Sequence, residues 1–533
     1  MPERENSVNW DTTQNVFIEG DNLEVLKVLQ KHYYGKIKMI YIDPPYNTGN
    51  DFVYSDDFRD GVNAYLEWTK QVNELGKVTS NSETTGRYHT NWLNMMYPRL
   101  KLARNLLSTD GLMLISIGDV EFGNLRQICN EIFGEQNLIG VFSRTSAEGG
   151  GLAKQMIKGH DYVVAYARSI GNFPPLLRPK EIRGKIVEIE GEDYWIEEDW
   201  LRKEFGKYGT CLYEQILDYY SQDKLDEINK GLEEGIYTLL KKSKKGHVVG
   251  RYRKISEDGS KFYSVIKHLN SDGVRDLESL GNFDTYFDFP KPVSLLHELI
   301  RGATFTSHND ERIILDFFAG SGTTAEAVVR LNAEDGGNRR SISVQLPEPT
   351  LEGSDAHKAG FKTISDISRE RIRRAGTKIL KDEAEKLTER AKHLDVGFRS
   401  YRLADTNFAK WRVNADLDED KLEDLFNSAR DSADNTASPE DLFIETSLKL
   451  GLSLTERYQE QNIAGLSVFN IDDGLVIGYF DEHVKPTLEQ LRELVEIAEV
   501  RFIVLEDAFQ GDDELKTNLV QLCKTRGIDL SIA

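Results

Sequence analysis

The sequence predicts an α/β protein in which strands and helices alternate around a sheet, with an inserted domain and a further α/β lobe at the C-terminal end. Residues 15–42 read in turn as a strand, a helix and a strand, and residues 312–345 repeat the alternation. From about 143 to 281 this periodicity breaks up into short strands, charged helices and Gly-rich turns. Strands that alternate with helices are typical of βαβ units, so we expect the two alternating segments to form one split domain.

The first unit comprises a predicted strand over 15–19, a helix over 22–33 and a strand over 37–42. Asp21 can cap the helix, and Glu24 three residues later would complete a capping box. The apolar residues at helical spacing predict its buried face, and they are Val25, Leu26, Val28 and Leu29.

Later elements are predicted on the same grounds: a helix ending near Asp110 and Gly111, a buried strand over 112–117, a strand over 312–317, a helix from about Thr324 and a strand over 341–345. The chain is therefore divided into a split domain of residues 1–142 and 282–393, an inserted domain of residues 143–281, and a third domain of residues 394–533. In the third domain a hairpin is predicted to turn at residues 472–474. Because that domain carries no catalytic constellation, a structural, assembly or partner-binding role is expected for it.

The sequence argues against a membrane-spanning protein, a secreted protein and a zinc-binding protein. The chain has 533 residues, and no apolar run approaches the roughly 18 residues that span a bilayer. The N-terminus has no basic segment followed by an apolar stretch, so no secretory signal is predicted and a cytoplasmic location is expected. Cys129, Cys211 and Cys523 lie far apart without a Cys or His partner at zinc-site spacing, so we expect reduced packing residues and no metal site.

Charge is unevenly distributed along the chain. The net charge of −22 taken alone argues against a polyanionic partner, because nucleic-acid binders usually carry a basic footprint. Residues 241–254 are nevertheless locally basic, whereas residues 415–426 are strongly acidic. Each run can also be a solvated face or a surface hairpin, and the sequence leaves that alternative open.

A glycine-rich turn follows the predicted strand that ends at residues 316–318. Gly320 and Gly322 let the backbone approach a ligand where a side chain would clash. The turn is not a phosphate loop of the ATPase type, because Thr323 and Thr324 stand where that motif needs Lys and then Ser or Thr. Either a tight turn or a loop for a nucleoside without a polyphosphate fits the pattern.

A proline-rich turn, Asp43-Pro44-Pro45-Tyr46, follows the strand over 37–42. The two prolines have a fixed φ and no N–H group. The carbonyls of Asp43 and Pro44 are therefore expected to face a cleft at the carboxyl end of the sheet, where open α/β folds bind ligands. The alternative is a rigid turn without chemistry.

Together the two turns resemble a known family. Asp43-Pro44-Pro45-Tyr46 resembles the catalytic motif of amino-group DNA methyltransferases, and Phe-Ala-Gly-Ser-Gly at 318–322 is similar to their FxGxG loop for S-adenosylmethionine. The order, with the catalytic motif first and the cofactor loop after an inserted domain, is similar to the β class. FIEGDNLEVLK, MIYIDPPYNTGNDFVYSDDF and WLNMMYPRLKLARNLL more closely resemble the modification subunit of type III restriction-modification systems.

The resemblance implies a Rossmann-like methyltransferase sheet in permuted motif order, with S-adenosyl-L-methionine as cofactor and residues 143–281 as the target-recognition domain. The implied catalytic residues are Asp43, Pro44, Pro45 and Tyr46. The implied cofactor contacts are Asp21, Asn22, Asp316, Phe318, Ala319, Gly320, Ser321, Gly322, Thr323 and Gln345. Gln345 departs from the pattern, because many methyltransferases place an acidic residue there for the cofactor ribose.

The chemistry of the reaction needs these residue types. An adenine N6 amine is a poor nucleophile, and hydrogen bonds to the Asp43 carboxylate and the Pro44 carbonyl would turn its lone pair toward the donor methyl. The base must leave the duplex to be reached, and Tyr46 offers an aromatic face for stacking. Asp21 would contact the cofactor's adenine, as the resemblance implies.

Expected partners are double-stranded DNA, a second copy in a homodimer, and a type III restriction subunit with helicase and nuclease activity. The predicted phosphate contacts in the inserted domain are Lys241, Lys242, Lys244, Lys245, Arg251 and Arg253. Three functions stay open: an adenine-N6 methyltransferase acting as modification and recognition subunit, the same fold acting on cytosine N4, and a recognition scaffold without turnover. A Ser in place of Asp43 would be more typical of the second, and the intact loops argue against the third.

Overall fold

The computed structural model describes residues 1–48, 72–73, 76–77, 86–148, 156–203, 209–242, 246–307, 310–388, 393–408 and 437–533. Lys244, Lys245 and the acidic run at 415–426 lie outside these ranges. The chain divides into two compact units: the first holds residues 1–173, 264–297 and 311–533, and the second holds residues 174–263 and 298–310. No helix in the described ranges is both long and apolar enough to cross a membrane.

The strands in chain order are β1 Val16–Glu19, β2 Ile37–Ile42, β3 Val72–Asn73, β4 Gly76–Lys77, β5 Leu107–Ile117, β6 Leu138–Thr145, β7 His160–Ala167, β8 Leu177–Pro179, β9 Ile186–Ile189, β10 Glu192–Glu197, β11 Tyr237–Lys241, β12 His247–Lys254, β13 Gly259–Lys261, β14 Val265–Lys267, β15 Arg312–Asp316, β16 Arg339–Gln345, β17 Arg399–Arg402, β18 Tyr458–Ile463, β19 Leu466–Ile471, β20 Val476–Tyr479, β21 Arg501–Val504 and β22 Asp529–Ile532.

The α-helices are α1 Asn22–Tyr33, α2 Gly86–Leu106, α3 Asp119–Phe133, α4 Ile216–Tyr219, α5 Gln222–Glu233, α6 Asn270–Glu278, α7 Val293–Ala303, α8 Thr323–Asp335, α9 Asp355–Lys358, α10 Ile364–Asp382, α11 Ala384–Thr388, α12 Pro439–Lys449, α13 Leu488–Ile497 and α14 Asp513–Arg526.

A nine-stranded sheet forms the centre of the first unit, in the order β14-β6-β7-β5-β2-β15-β16-β1-β17. The run from β5 to β17 is parallel throughout, and β7 is antiparallel to both of its neighbours. Every residue of β2 is buried, as expected for a central parallel strand covered on both faces. The prediction of a mixed α/β protein with a large sheet is confirmed.

The first predicted unit has the predicted bounds for α1 and β2, and Asp21 caps α1 by accepting hydrogen bonds from the amides of Leu23 and Glu24. Two details of the prediction are wrong. The Glu24 carboxylate pairs with Lys27 at 2.6 Å instead of completing a capping box. Val28 is 40% exposed and lies outside the buried face.

The boundary between α2 and β5 also differs from the prediction. The helix ends at Leu106, and the strand begins at Leu107 rather than after Gly111. Lys38 of β2 is 1% exposed and donates to both the carbonyl and the carboxylate of Asp110. These bonds hold Asp110 against β2, so the Asp-Gly pair lies within the strand instead of ending the helix.

The second unit contains an antiparallel sheet in the order β11-β12-β10-β9 and the two-stranded pair β8-β13. Its core packs Leu201, Cys211, Ile216, Ile228 and Val249. The predicted inserted domain began at residue 143, whereas β6 and β7 belong to the nine-stranded sheet and the second unit begins at residue 174. A recognition role for this region stays a prediction.

The C-terminal lobe has a five-stranded sheet in the order β18-β19-β20-β21-β22, with the predicted hairpin between β19 and β20 confirmed. Its buried side chains belong to the same apolar cluster as those of the large sheet. Arg399 of β17 is 1% exposed and donates to the carbonyls of Trp10, Leu454 and Glu456. These contacts join the lobe to the edge of the large sheet, and its assembly role stays a prediction.

Candidate active site

The candidate site lies where three neighbouring parallel strands, β2, β15 and β16, end at the same edge of the sheet. A cavity of about 540 Å³ opens there, a size within the usual range for small-molecule sites. The sequence-predicted residues that line it are Asp43, Pro44, Pro45, Phe318, Gly320 and Gln345. The proline-rich turn and the glycine-rich loop therefore share one cavity, although they lie far apart in sequence.

Asp43 follows the last residue of β2, and its carboxylate is held from one side. The Lys291 ammonium lies 2.7 Å from Oδ2. The other oxygen, Oδ1, is buried and has no hydrogen-bond partner among the described residues. A buried acceptor without a donor is unfavourable unless a ligand or water supplies one, so Oδ1 is the acceptor most in need of a ligand donor.

The rest of the turn is fixed by long-range contacts. Trp92 of α2, which is completely buried, donates from Nε1 to the Pro45 carbonyl at 2.7 Å. The Tyr46 hydroxyl accepts from Lys291 at 3.0 Å. Burial, followed by the charges of Asp43 and Asp161, raises the pKa of Tyr46 well above its ordinary value, so the phenol stays neutral and its ring remains an uncharged surface.

A buried glutamate anchors the chain directly after the turn. Glu121 of α3 is fully buried and accepts hydrogen bonds from the Asn47 amide and from Asn124, the latter at 2.8 Å. His89 of α2 lies 2.6 Å from the same carboxylate. Asn47 has a φ of 56°, a left-handed conformation that Asn tolerates better than most residues. The polar cluster thus stabilises the exit of the turn.

Gly320 lies in the cavity wall and has a φ of 54°. Its amide donates to Gln345 Oε1 at 2.7 Å, and its carbonyl accepts from the Ser368 hydroxyl of α10. Gln345 at the end of β16 therefore holds the glycine-rich loop by a side-chain bond. An acidic side chain at this position could accept the same amide proton, so the departure from the family pattern preserves this contact.

Asp316 ends β15 beneath the loop and is 3% exposed. Its carboxylate accepts from the Phe318 amide at 3.0 Å and from the Thr324 hydroxyl at 2.5 Å. Burial, helped by the charge of Asp43 and opposed by these two hydrogen bonds, raises the pKa of Asp316 to about 7. This carboxyl group is consequently able to change its charge near neutral pH.

Ser321 and Thr323 face away from the cavity. Both hydroxyls accept from one guanidinium nitrogen of Arg371, which is completely buried and also donates to Glu326 at 2.8 Å. Ala319 donates to the Val344 carbonyl and so pins the loop to β16. The Ser321 and Thr323 hydroxyls and the Ala319 amide thus fix the loop to its neighbours, and the predicted contact of these residues with the cofactor stays a prediction.

Gly322 precedes α8 with a φ of 86°. An added Cβ would lie 3.2 Å from Ile372 and 3.3 Å from the Ser368 carbonyl of α10. Both the backbone conformation and the limited space therefore disfavour a side chain at this position. Gly322 lets α10 approach the loop and is not among the residues that line the cavity.

Asp21 and Asn22, predicted as cofactor contacts, bond mainly within the fold. Asp21 caps α1, and its Oδ2 lies 3.2 Å from the Arg99 guanidinium of α2. Asn22 donates to the Phe317 carbonyl at 2.7 Å and accepts from Arg99 at 2.5 Å. Neither lines the cavity. Their bonds hold α1 against α2 and the segment after β15, and their predicted contact with the cofactor stays a prediction.

Three functional candidates were not indicated by the sequence pattern: Lys291, Trp92 and Glu348. Glu348 lines the cavity three positions after Gln345, and burial raises the pKa of its carboxyl group. The only signal for Glu348 was its position just after a strand whose end was expected to be acidic. Lys291 lies in the sequence Phe-Pro-Lys-Pro, and nothing in that sequence indicates which carboxylate it contacts.

Three of the predicted phosphate contacts that the structure describes in the second unit are paired with acids. Lys242 pairs with Glu198 at 2.8 Å, Arg251 with Glu197 at 2.6 Å and Arg253 with Asp258 at 2.6 Å. Lys241 is exposed at the end of β11. Their role in binding a duplex stays a prediction.

Comparison with known proteins adds independent information. A sequence model of a family described as DNA methylase matches residues 37–348. The StyLTI Mod subunit of a type III restriction-modification enzyme from Salmonella typhimurium strain LT2 is 32% identical over 74% of this chain, which spans 60% of that relative's length. The type III EcoP15I Mod subunit of Escherichia coli is 29% identical over 98% of this chain and 85% of its own. The type II methyltransferase M.KpnI of Klebsiella pneumoniae is 30% identical over 70% of this chain and 90% of its own.

Proposed function

This chain belongs to the DNA methylase family, and from that premise we propose that it transfers a methyl group from S-adenosyl-L-methionine to N6 of adenine in double-stranded DNA. It acts as the modification and recognition subunit of a type III restriction-modification system. The observation that carries the proposal is the shared cavity, in which the buried Asp43 Oδ1 has no hydrogen-bond partner among the described residues and the glycine-rich loop forms another part of the wall.

Adenine provides the hydrogen-bond donors that Asp43 Oδ1 lacks in this cavity. Its N6 amine has two N–H donors, and Asp43 Oδ1 and the Pro44 carbonyl can accept them. Two such bonds orient the amine and direct its lone pair away from the turn. Holding both reactants in line can lower the barrier by about 7 to 11 kcal/mol, and a turn already fixed by Trp92 and the prolines needs little reorganisation.

Another part of the cavity wall fits a nucleoside. Phe318 and the backbone of Gly320 offer an apolar surface and a close approach, and the Glu348 carboxylate can accept hydrogen bonds from ribose hydroxyls. Gln345 is already bonded to the loop, so Glu348 is the proposed ribose ligand. When bound, S-adenosyl-L-methionine supplies an electrophilic methyl group on a sulfonium.

An adenine within a duplex cannot enter the cavity. The base therefore has to be rotated out of the helix, and the neutral ring of Tyr46 gives it a surface to stack on. Asp161 and Arg144, behind Tyr46, form a buried ion pair in which Arg144 Nε donates to Asp161 at 2.6 Å. This pair lies on β6 and β7 and supports the stacking surface from the sheet.

Similarity to one type III subunit extends over nearly the whole chain. The EcoP15I Mod subunit aligns with 98% of this chain, so its similarity includes the C-terminal lobe, whereas M.KpnI aligns with 70%. We therefore propose that the lobe serves assembly, as a homodimer or with a DNA-cleaving restriction subunit. The enzyme is expected to work in the bacterial cytoplasm.

The test is to incubate the purified chain with S-adenosyl-L-methionine carrying a labelled methyl group and with bacterial DNA, and then to digest the DNA to nucleosides. N6-methyldeoxyadenosine is expected. Detection of N4-methyldeoxycytidine instead would show that the target is cytosine N4. The absence of any labelled nucleoside would favour a recognition scaffold without turnover. Long-read sequencing of DNA from cells that express the chain then identifies the modified position and its sequence context.

A further inference from the structure

Lys291 is the cation that lies against the candidate catalytic turn. Its Nζ atom lies 2.7 Å from Asp43 Oδ2, donates to the Tyr46 hydroxyl at 3.0 Å and sits 4.9 Å from the centre of the Tyr46 ring. Its side chain is 14% exposed. One side chain thus contacts both the proposed amine acceptor and the proposed stacking surface.

The backbone holds Lys291 firmly in this place. Pro290 and Pro292 flank it, and each fixes its own φ and restricts the residue before it. The Lys291 carbonyl accepts from the Thr323 hydroxyl at 3.4 Å, and α7 begins directly after Pro292. The backbone that carries the Lys291 ammonium is therefore conformationally constrained.

Ionisable groups on several elements surround Asp43. Asp316 at the end of β15 and the phenol groups of Tyr41 in β2 and Tyr46 in the turn all interact electrostatically with Asp43. Tyr41 is bonded to Ser116 of β5 at 2.8 Å. Behind Tyr46, the Asp161 carboxylate is already paired with Arg144. Lys291 is the cation placed to compensate the charge of Asp43.

We propose that Lys291 is a positioning residue for methyl transfer: its ammonium occupies Asp43 Oδ2, compensates the negative charge of the carboxylate, and leaves Oδ1 facing the target amine. The inference rests on the proposed function. In this arrangement Asp43 Oδ2 binds the lysine and Asp43 Oδ1 binds the substrate amine. A protonated Asp43 would lose acceptor strength and could turn its hydroxyl toward the amine.

The test compares Lys291→Met, which removes the charge at similar volume, with Lys291→Arg, which keeps it. A cation at this distance favours an ionised carboxyl by about 1 to 3 pH units. The acid limb of the single-turnover methylation rate is therefore expected to move to higher pH by about that amount in Lys291→Met. In Lys291→Arg the limb is expected to stay near that of the wild type.

Lys38→Met is the matched control. Lys38 forms a 2.8 Å ion pair with Asp110 away from the cavity, and its side chain is 2% exposed. Its loss should lower stability and leave the acid limb in place. An unchanged acid limb in an active, folded Lys291→Met would overturn the inference while leaving the proposed function intact. If the Met variant does not fold, Lys291→Gln keeps a donor without the charge and gives the same comparison.

A second readout does not require turnover. Isotope-edited infrared spectra of the chain with labelled aspartate report the carboxylate band of Asp43, which is assigned by its loss in Asp43→Asn. The band is expected to disappear at a higher pH in Lys291→Met than in the wild type. Identical titrations would contradict the inference. If Lys291→Met shows this shift but the wild-type chain transfers no methyl group, the proposed function alone is overturned.

Discussion

Trp92 Nε1 donates a 2.7 Å hydrogen bond to the carbonyl oxygen of Pro45. Trp92 comes from the N-terminal half of α2 and is completely buried, and Pro45 follows β2 in the turn that carries Asp43. A helix thus holds the second proline of the turn through a single side-chain donor. The position of the Asp43 carboxylate depends on this contact as well as on the rigidity of the prolines.

Trp92→Phe tests the importance of the indole donor. The substitution leaves the Pro45 carbonyl without its partner, which is expected to lower the free energy of unfolding by about 1 to 3 kcal/mol. Urea unfolding measures this change, and the single-turnover methylation rate should fall in parallel because the turn is less fixed. Tyr401→Phe removes a similar 2.7 Å bond, to the Leu454 carbonyl outside the cavity. It should lower stability without changing the rate; an equal loss of rate in both variants would show a general effect.

The glycine at position 320 is predicted to be required for cofactor binding. A Cβ at this position would lie 3.5 Å from Phe287, which also lines the cavity, and the φ of 54° disfavours any side chain. Gly320→Leu is therefore expected to abolish binding of S-adenosyl-L-methionine in calorimetry, because its side chain occupies the cavity. Gly527→Leu is the control, since Gly527 has a φ of 72° and no atom within 4 Å of an added Cβ. Both changes carry a backbone strain of about 1 to 2 kcal/mol, and normal binding by Gly320→Leu would place the cofactor elsewhere.

Asp316 is predicted to make folding stability depend on pH. Its pKa in the folded chain is raised to about 7 by burial, from an ordinary 3.8. The protonated form is thus favoured in the fold, so its contribution is complete below about pH 4 and is lost as the pH rises through about 7. A shift of this size corresponds to about 4 kcal/mol as an order of magnitude.

Asp316→Asn isolates this effect. The amide can accept from the Phe318 amide and donate to Thr324, so both contacts of the carboxyl group are retained without a charge. The difference in unfolding free energy, wild type minus variant, should fall by a few kcal/mol between about pH 4 and about pH 8. Urea unfolding at a series of pH values measures it, and two parallel curves would contradict the raised pKa.

Some of the fold could be predicted because its signals are local. The bounds of α1 follow from the Asp21 cap and the apolar spacing, and β2 is a continuous apolar run that ends at a proline-rich turn. The Asp43 turn and Gly320 could be placed at one cavity because parallel strands end at the same edge of a sheet.

Other features depend on contacts that sequence spacing does not encode. Lys291 and Tyr46 are 245 positions apart, so neither sequence context indicates the contact. The hydroxyls of Ser321 and Thr323 in the loop could each bind a ligand by a hydrogen bond, but both accept a hydrogen bond from Arg371 of α10 instead. Side-chain direction within a loop is decided by the packing beneath it, which no local pattern reports.

The central claim is that the Asp43 carboxylate activates the target amine and is not merely part of a rigid turn. Asp43→Ala removes the acceptor without altering the glycine-rich loop. Asp43→Asn keeps the shape of the side chain but removes the charge; with its amide oxygen toward Lys291, it presents an NH2 donor to the target amine in place of the acceptor Oδ1. The decisive measurement is single-turnover methylation of a duplex that carries the native site, with cofactor and DNA binding measured alongside. Transfer is expected to fall by about 100-fold or more in both variants while binding stays close to that of the wild type, because the lost interaction is strongest in the transition state. Near-normal transfer by Asp43→Ala would contradict the account and reduce the turn to a structural element.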